Sequence, residues 1–405
     1  MLRMHYFAGK QSTMQPKHSH LLLLLLALAL SACQSGTKEK NASQMAPPII
    51  RVATYNSSLF QREEGELLAR IIKDSLPNAA TVAEIIALNA PDVIALQEFD
   101  YGEGNAALGL LIEKYGLDYR YYRAFPSNTG IPTGLDLNQD GKTATANDAY
   151  GYGQFPGQYG FALLSKYPIL EDSIRTFQHF LWKDMPGALW PRNADSTQYY
   201  SAEAREIFRL SSKNHVDVPI ETPIGIVHML ISHPTPPVFD GPEDRNGTRN
   251  HDEIRLFANY ISGGEQAAYL YDDAGQRGGL HPDARFVVLG DQNADPVDGD
   301  TWPGAIQQLL DNPRIHPATA MGELVPASQG SVDNHNAKPK GKGDPAHDTA
   351  DWGNRADYVL PSANLVPLAS GVHWSPAADS LSAPEYRKGA SDHKLVWVDI
   401  SLPKQ

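Results

Sequence analysis

The sequence predicts an α+β fold in which β-sheets pack against one another and also carry helices. Seven apolar, strand-like runs recur along the chain, and three segments repeat apolar residues at helical spacing. The two kinds of segment mix without strict alternation, so packed sheets fit the order better than a barrel or a doubly wound sheet. With 405 residues, 41% of them hydrophobic, the chain is long enough to bury a sizeable core.

The first segment of the chain predicts export and lipid attachment. Lys17 precedes an apolar run from Leu21 to Leu30, which is too short to span a bilayer and typical of a signal peptide. The small residues before Cys33 resemble the lipobox of bacterial lipoproteins, which implies lipidation of that thiol. We therefore expect a signal peptide over 1–32, a flexible tether over 33–48, and anchoring to a bacterial membrane facing the periplasm or the cell exterior. An ordinary secretory signal that contains a cysteine is the alternative.

The strand-like segments are rich in Val, Ile and Leu and are bounded by Gly, Pro or Asp. We predict strands over 49–56, 92–99, 160–169, 224–233, 286–293, 356–362 and 393–402. Helical spacing predicts helices over 64–75, 80–90 and 250–261. No tandem repeat and no second tether interrupts this pattern, so we predict one domain over 49–403.

The composition restricts the classes of partner. The formal net charge is −13, which repels polyanions at long range and argues against a protein that coats nucleic acid. A phosphate-ester substrate is still compatible with this charge, because a bound divalent metal reverses the local field. The chain has one cysteine, so it cannot form an intrachain disulfide.

Residues that can bind a metal or a phosphate stand at nearly every predicted strand end. Asn56, Glu98, His233 and Asp291 lie at such ends, and His393 begins the last predicted strand. Residues at one edge of a rigid sheet are where binding and catalysis are usually found. We therefore expect these side chains to meet at one edge of the fold.

The segment "FVVLGDQN" places Asp291 and Asn293 one residue apart. Side chains alternate along a strand, so these two should lie on one face with Gln292 opposite. Alone, an aspartate after a strand is more often a turn residue or a helix cap. Together with the other strand ends, the set provides oxygen ligands for Mg²⁺, Mn²⁺ or Ca²⁺ and a histidine for phosphate, which suits metal-assisted attack of water on a phosphate ester.

The order of the motifs is more specific than any one of them. The segments "VATYN", "VIALQE", "GDQN", "RADYVL" and "SDH", spread over about residues 49–402, resemble the endonuclease/exonuclease/phosphatase family. The resemblance implies a four-layer α/β/β/α sandwich with two packed, mostly antiparallel sheets and an active site at one end of both. It also implies a hydrolase that uses Mg²⁺ or Mn²⁺.

The resemblance also implies roles for individual residues. Asn56 and Glu98 would hold the principal metal, with Asp392 beside them. Asp291 would position or deprotonate the attacking water, and Asn293 would bind the phosphate or hold Asp291.

Two histidines complete the implied site. Asp357 would support His393, which contacts the scissile phosphate. His233 matches the family's other active-site histidine. The chain departs from the family after His233, because the usual polar loop is replaced by "PTPPVFDGPEDRN".

The segment "DLNQDGKTATAND" suggests a second metal site. Asp136, Asn138, Asp140 and Gly141 occupy positions 1, 3, 5 and 6 of an EF-hand-type calcium loop. The usual glutamate at position 12 is absent, and Asp148 would close the site instead. A plain turn of Asp, Asn and Gly is the alternative reading.

Two polar stretches, 210–220 and 240–253, flank the strand at 224–233. The cations Arg209, Lys213, Arg245 and Arg249 lie in or beside them and would bind substrate phosphates if these stretches reach the active site. Solvated loop charges in local ion pairs are the favoured alternative. Aromatic-rich insertions, among them 182–190, either stack on a substrate ring or fasten a loop, and we favour the second role.

These observations lead to a functional hypothesis with two alternatives. The hypothesis is a monomeric, exported, lipid-anchored hydrolase of phosphodiesters or phosphomonoesters that depends on Mg²⁺ or Mn²⁺, with Ca²⁺ as a further ligand of the 136–148 loop. A nuclease is the first alternative, and the absence of basic stretches with interleaved aromatics disfavours it. A non-catalytic binding lipoprotein on the same fold is the second alternative.

Overall fold

The structure is a computed structural model, and it describes residues 47–102, 104–338 and 340–403. The predicted signal peptide, the lipidation site at Cys33 and the tether as far as residue 46 lie outside the described residues. Within the described residues, no helix is both long enough and apolar enough to cross a membrane.

The described residues form eleven strands, and each of the seven predicted strands corresponds to one of them. In chain order they are β1 (Ile50–Asn56), β2 (Val93–Gln97), β3 (Tyr121–Phe125), β4 (Phe161–Ser165), β5 (Arg175–Thr176), β6 (His215–Thr222), β7 (Gly225–Ser232), β8 (Arg285–Asp291), β9 (Asp357–Pro361), β10 (Val366–Val372) and β11 (Val396–Ser401).

The described residues also form nine α-helices. They are α1 (Glu66–Ile72), α2 (Pro77–Asn89), α3 (Ala106–Tyr115), α4 (Ala202–Ile207), α5 (Arg245–Ser262), α6 (Gly264–Ala267), α7 (Gln307–Leu310), α8 (Pro317–Ala320) and α9 (Gln329–Ala337). The three predicted helices correspond to α1, α2 and α5. Helix α5 begins earlier than predicted, because the Asp244 carboxylate caps it and accepts a hydrogen bond from the Gly247 N–H at 3.1 Å.

The strands form two sheets. One has six strands in the order β10-β11-β1-β2-β4-β3, and the other has five in the order β5-β6-β7-β8-β9. The pairs β1–β2 and β7–β8 are parallel, and the other pairs of named strands are antiparallel. The prediction of two mostly antiparallel sheets is confirmed.

Apolar residues cover both faces of each sheet. In β1, Val52 faces the core between the two sheets, where Met229 of β7 also lies, while Tyr55 faces helices α1, α2 and α3. On the other sheet, Leu230 and Phe286 face α5 and α7. Strands buried on both faces carry near-continuous apolar runs, which is why these segments were visible in the sequence. The observed layers confirm the predicted α/β/β/α sandwich.

Strand β6 was missed, because the stretch 210–220 was interpreted as a polar loop. Val216 and Val218 face the core between the sheets, but His215 and Asp217 face α5 and are also buried. The Asp217 carboxylate accepts a hydrogen bond from the Tyr260 hydroxyl at 2.6 Å, and the His215 ring packs on a phenylalanine of α5. In the sequence, these polar residues indicated a loop, but in the structure they are buried with hydrogen-bond or packing partners.

Candidate active site

The ends of several strands bring the predicted catalytic residues together at one end of the two sheets. These residues are Asn56 at the end of β1, Glu98 after β2, His233 after β7, Asp291 and Asn293 at and after the end of β8, Asp357 at the start of β9, and Asp392 and His393 before β11. A cavity of about 930 Å³ lies over these ends. All of these residues line it except Asn56 and Asp357, which are buried.

Asp291 is the centre of this cluster. Its Oδ2 accepts a hydrogen bond from Asn56 Nδ2 at 3.0 Å, and its Oδ1 accepts one from the backbone N–H of Asn293 at 2.8 Å. The Nε2 atoms of His233 and His393 lie 3.4 and 3.5 Å from the same Oδ2. An amide, a backbone N–H and two imidazoles therefore fix one buried carboxylate at the floor of the cavity.

Asp357 holds the opposite side of the His393 ring. The Nδ1 of His393 lies 2.9 Å from Asp357 Oδ2, which also accepts a hydrogen bond from the Thr349 hydroxyl at 2.7 Å. The backbone N–H of His393 donates to Ser391 Oγ at 3.1 Å, and that hydroxyl donates to the backbone carbonyl of Asn56 at 2.7 Å. Sequence reasoning missed Thr349 and Ser391. Ser391 stands in the "SDH" motif, whereas nothing in the sequence marks Thr349.

The charges of the cluster follow from these contacts. Burial alone would lower the pKa of His393, but Asp357 and Asp291 outweigh it and raise the pKa to about 10. Burial would raise the pKa of Asp291, but His393 and His233 outweigh it and hold that pKa well below its usual range. Burial keeps the pKa of Asp357 above its usual range despite His393. At neutral pH the site therefore holds an imidazolium against an ionised Asp291.

His233 has the opposite character. Burial lowers its pKa to about 4, Lys213 adds to the decrease, and Asp291 opposes it. It is therefore a neutral imidazole at neutral pH. Its buried Nδ1 has no hydrogen-bond partner among the described residues. An unsatisfied buried polar atom costs about 1–3 kcal/mol, so a water or a polar ligand atom would stabilise this ring.

Glu98 and Asp392 form an acidic edge of the cavity. Burial raises the pKa of Glu98 to about 7, His393 opposes the rise, and Asp291 and Asp392 add to it. Among the described residues, neither Glu98 nor Asp392 has an ion-pair partner within 4.0 Å. Both Glu98 and Asn293 have left-handed backbone, with φ of 55° and 51°. For residues other than glycine this conformation costs about 1–3 kcal/mol and is concentrated at functional sites.

Glu98 and Asp392 are candidate ligands for a divalent cation. Acidic oxygens without cationic partners, facing a cavity, are the ligands that Mg²⁺ and Mn²⁺ prefer. Two carboxylates and a histidine, those of Asp291, Asp357 and His393, have possible ligand atoms within 4.8 Å of one another. Those atoms are already engaged with each other and with Thr349. These bonds make the interior of the cluster less available to a metal.

Asp291 and Asn293 do not lie on one continuous strand, contrary to the prediction from alternation. Both residues line the cavity, but strand β8 ends at Asp291 and the chain is no longer extended at Asn293. Asn293 Nδ2 donates to a backbone carbonyl at 3.1 Å. Gln292 is fully buried, and its side chain contacts Ser232 Oγ at 3.0 Å. Replacing Gln292 would therefore cost stability.

The four predicted cations differ in their environments. Arg209 bonds an asparagine side chain at 2.7 Å, stacks on a tyrosine and does not line the cavity. Arg245 and Arg249 lie on helix α5 and not on a loop as predicted. Arg245 pairs with a glutamate, and Arg249 donates to three backbone carbonyls. Lys213 lines the cavity, and among the described residues its ammonium donates only to a carbonyl 3.4 Å away. Lys213 is therefore the best placed of the four to contact a phosphate.

One face of α5 fixes the walls of the cavity. Glu253, which is fully buried, accepts hydrogen bonds from the backbone N–H groups of Ser212 at 2.5 Å and Thr235 at 2.7 Å. Asn250 donates to the carbonyls of Thr235 and Gln292, both at 2.9 Å. These bonds hold the three segments that carry Lys213, His233 and Asp291. Sequence reasoning missed Glu253 and Asn250, although their i, i+3 spacing places them on one helix face.

Aromatic side chains line other parts of the cavity. Phe60 and Tyr159 form a pair with ring centroids 4.6 Å apart. Trp352 packs edge-on against the "SDH" histidine, with centroids 4.8 Å apart. Tyr152 lines the cavity and is exposed. In the 182–190 insertion, both tryptophans pack in the apolar core that α5 shares, which agrees with the fastening role.

The predicted calcium loop is held by its own hydrogen bonds. The Asp136 carboxylate accepts the N–H groups of Asp140 at 3.1 Å and Gly141 at 2.8 Å. Asn138 donates to Asp140 at 3.3 Å. The Asp148 carboxylate is fully buried and accepts three hydrogen bonds, from the N–H of residue 137 and from the N–H and hydroxyl of residue 145. Within the described residues, these carboxylates do not converge as a metal-binding group, and the calcium site stays a prediction.

Comparison with known sequences identifies a family. The family model described as "Endonuclease/Exonuclease/phosphatase family" matches residues 53–393. A comparison with curated protein sequences found no match.

Three solved structures are similar to this chain at low sequence identity. An endonuclease/exonuclease/phosphatase from Beutenbergia cavernae is 15% identical with a TM-score of 0.47, and the match covers 87% of this chain and 72% of that chain. Sphingomyelinase C from Streptomyces griseocarneus is 16% identical with a TM-score of 0.41, over 87% and 99% of the two chains. A Staphylococcus aureus beta toxin with bound magnesium ions is 12% identical with a TM-score of 0.44, over 88% and 100%.

Proposed function

Because this chain belongs to the endonuclease/exonuclease/phosphatase family, we propose that it is a divalent-metal-dependent hydrolase of small phosphate esters. Members of the family are metal-dependent phosphoester hydrolases, so this general class follows from the family. The proposal adds the residues that act, the size of the substrate and the location of the protein.

The observation that carries the proposal is the hydrogen-bonded cluster at the cavity floor. Asp291, His393 and Asp357 are each 5% exposed or less. Their contacts place an ionised carboxylate beside an imidazolium, in a site where burial strengthens both interactions. A binding protein that only retained the fold would not need such a costly arrangement.

The roles of the residues follow from these charges. Ionised Asp291 accepts a hydrogen bond from the attacking water and orients it toward phosphorus. Cationic His393, held by Asp357, donates to a phosphate oxygen and stabilises the negative charge that develops there. Lys213 adds a positive charge at the wall. Asn293, beside Asp291, donates its amide to the phosphate or holds the carboxylate.

Glu98, Asp392 and Asn56 would hold the metal. Burial and neighbouring carboxylates destabilise the charge of Glu98, and a bound cation would relieve this cost. When bound, a divalent metal neutralises the non-bridging oxygens and stabilises the leaving oxygen. Because Asn56 already donates its amide nitrogen to Asp291, its carbonyl oxygen is the atom it would offer to the metal.

One assay tests the proposal. The full-length protein is incubated with bis-p-nitrophenyl phosphate, p-nitrophenyl phosphate, phytate, sphingomyelin, RNA and plasmid DNA, each with Mg²⁺, Mn²⁺ or Ca²⁺. We expect metal-dependent turnover of small esters, abolished by a chelator. Plasmid nicking at rates far above the small-ester rates would establish the nuclease alternative. No turnover of any ester would leave the binding-protein alternative.

We also propose export and lipid anchoring through Cys33, on the basis of the apolar run and the lipobox-like residues before it. The test is a Cys33→Ser variant expressed in a bacterium that processes lipoproteins. We expect it to lose both the lipid label and the membrane fraction, and retention of both would contradict lipidation.

A further inference from the structure

The segment that replaces the family's polar loop forms one side of the cavity. Residues 235–239 all line it, beginning two positions after His233. We call residues 236–240, Pro-Pro-Val-Phe-Asp, the lip. Two consecutive prolines restrict the backbone of the lip before it reaches Phe239.

Phe239 has two unusual properties. Its side chain is 85% exposed, and its backbone has a φ of 66°. A left-handed conformation is an outlier for a bulky side chain. An exposed phenylalanine contributes little to folding, so nothing in the fold's own stability explains why the lip holds this residue in a strained conformation at the cavity mouth.

Side chains at the start of α5 hold the lip in place. Asn246 Nδ2 donates to the Val238 carbonyl at 2.7 Å, and the Asn246 N–H donates to the Asp240 carboxylate at 2.7 Å. Arg245 donates to the Phe239 carbonyl at 3.3 Å. Because the carbonyls of Val238 and Phe239 are both bonded, the backbone that carries the ring is held in place, and less backbone order is lost when a ligand packs on the ring.

The charges that line the cavity limit the substrate to few phosphates. The acidic residues that line it are Glu98, Asp291, Asp295, Asp300 and Asp392. The lysine and arginine residues that line it are Lys213, Arg245 and Arg249. Arg245 forms an ion pair and Arg249 donates to several carbonyls. Among the described residues, Lys213 donates only to one carbonyl, 3.4 Å away, and is therefore available to a ligand. Lys213, the His393 imidazolium and the metal edge suit one phosphoryl group, whereas a polyphosphate would meet the remaining carboxylates.

We propose that the substrate is an ester with a single phosphoryl group and an apolar or aromatic organic group that lies against the lip. Phe239 is then a specificity-determining residue. The phosphoryl group occupies the floor beside Asp291 and His393, and a cavity of about 930 Å³ holds an organic molecule of drug size. This inference rests on the proposed function, because the same floor hydrolyses the ester.

Two chromogenic diesters with the same leaving group test the lip. Phenyl p-nitrophenyl phosphate and methyl p-nitrophenyl phosphate differ only in the group that would contact Phe239. We expect the full-length protein to prefer the phenyl ester in kcat/KM. Phe239→Ala should reduce that preference about five- to tenfold, the effect of one lost aromatic contact. Phe239→Tyr should preserve it.

Leu381→Ala is the matched control. Leu381 is fully exposed and does not line the cavity, so its replacement should leave the phenyl-to-methyl ratio unchanged. An unchanged ratio in Phe239→Ala would overturn the proposal. The same holds if Phe239→Ala lowers binding to phosphatidylcholine vesicles while the ratio stays constant, because the lip would then contact a lipid surface.

Calorimetric binding separates this inference from the proposed function. Diphenyl phosphate should bind more tightly than dimethyl phosphate to the wild-type chain, and Phe239→Ala should remove the difference. If that pattern holds without turnover of any ester, the lip is supported and the hydrolase proposal fails. If esters are hydrolysed but neither binding nor kcat/KM depends on Phe239, the lip proposal fails and the hydrolase stands.

Discussion

The floor and the walls of the cavity are built in different ways. On the floor, strand register sets the geometry: Asp291 of β8 is paired directly with Asp357 of β9, and both carboxylates reach the His393 ring. On the walls, hydrogen bonds from α5 to neighbouring backbone set the geometry, through Glu253 and Asn250. The rigid sheets therefore fix the positions of the reacting groups. Sequence changes in the loops that α5 holds can alter substrate specificity without moving those groups.

The histidines of the two regions show the same contrast. His393 lies between two carboxylates and is a cation at neutral pH. His233 also contacts Asp291 on the floor, but burial lowers its pKa to about 4. His215 binds the Glu253 carbonyl behind the walls, and burial lowers its pKa to about 3. The floor therefore holds the imidazolium and carboxylate used in catalysis, and α5 positions the backbone of the walls. The predictions that follow test this division.

The largest effect is expected at the centre of the floor. Asp291→Asn keeps the size of the side chain but removes the charge that orients the water and stabilises His393. We expect kcat to fall by about 10²–10⁴-fold, the range for a catalytic acid or base, in metal-saturated steady-state assays. The melting temperature of the variant serves as the folding control. Retention of more than about a tenth of wild-type kcat would contradict a catalytic role for this carboxylate.

A second large effect is expected at the acidic edge. Glu98→Gln removes one negative ligand, so the metal concentration for half-maximal activity should rise by about 10–100-fold. Saturating Mn²⁺ should restore part of the activity. Asp300→Asn is the matched control, because this residue also lines the cavity but lies outside the strand-end cluster. Equal metal dependence in the Glu98 variant and the wild type would place the metal elsewhere.

A smaller effect is expected at the wall. Glu253→Gln keeps one acceptor oxygen for the two N–H groups that Glu253 binds. Loss of one such bond costs about 1–3 kcal/mol of stability, and loosened walls should raise KM more than they lower kcat. Glu265→Gln, on an exposed position of α6, is the control. A fall in kcat alone, with KM unchanged, would mean that Glu253 affects the catalytic groups on the floor. That result would contradict the assignment of Glu253 to the walls.

The same division explains how much could be predicted from the sequence. The floor was largely predictable, because double-sided burial made β1, β2 and β8 visible as apolar runs and their motifs stand at the ends. Thr349 was not predictable, because it precedes β9 in a loop and only the fold brings it to Asp357. Asn293 was placed by strand alternation, although the chain leaves the extended conformation there.

The walls were less predictable. Strand β6 and the first turns of α5 were interpreted as polar loops, because their polar residues find buried partners that no local pattern reveals. Arg249 was considered a phosphate ligand, whereas its guanidinium is occupied by three backbone carbonyls. Side chain-to-backbone bonds of this kind depend on distant segments, and sequence spacing contains no information about them.

Acidic pH should lower the stability of the fold through His215, which lies behind the walls. Its Nδ1 lies 2.7 Å from Ser211 Oγ and its Nε2 2.9 Å from the Glu253 carbonyl, and burial lowers its pKa to about 3. The unfolded chain protonates this histidine below about pH 6.5, whereas the folded chain does not until about pH 3. The unfolded state therefore binds more protons in that window, and stability falls as pH falls.

The measurement is urea unfolding at pH 7 and pH 5. The His215 contribution should lower the free energy of unfolding by about 2 kcal/mol between these pH values. His215→Gln stays neutral throughout, so it should lose less stability on acidification than the wild type. Equal losses in both proteins would show that His215 does not titrate differently in the folded and unfolded states.

Calcium should produce the smallest effect, although the loop at 136–148 has the spacing of a calcium site. The buried Asp148 carboxylate already accepts hydrogen bonds from Leu137 and Thr145, so its oxygens are engaged in holding the loop. About 1 mM Ca²⁺ should therefore shift the melting temperature by less than about 1 °C, since only tight binding to the folded state stabilises it. Asp148→Asn should lower the melting temperature equally with and without calcium, and Asp140→Asn should change it little. A rise of several degrees with calcium that Asp140→Asn abolishes would instead establish the calcium site, and the wall would then include a metal-dependent segment.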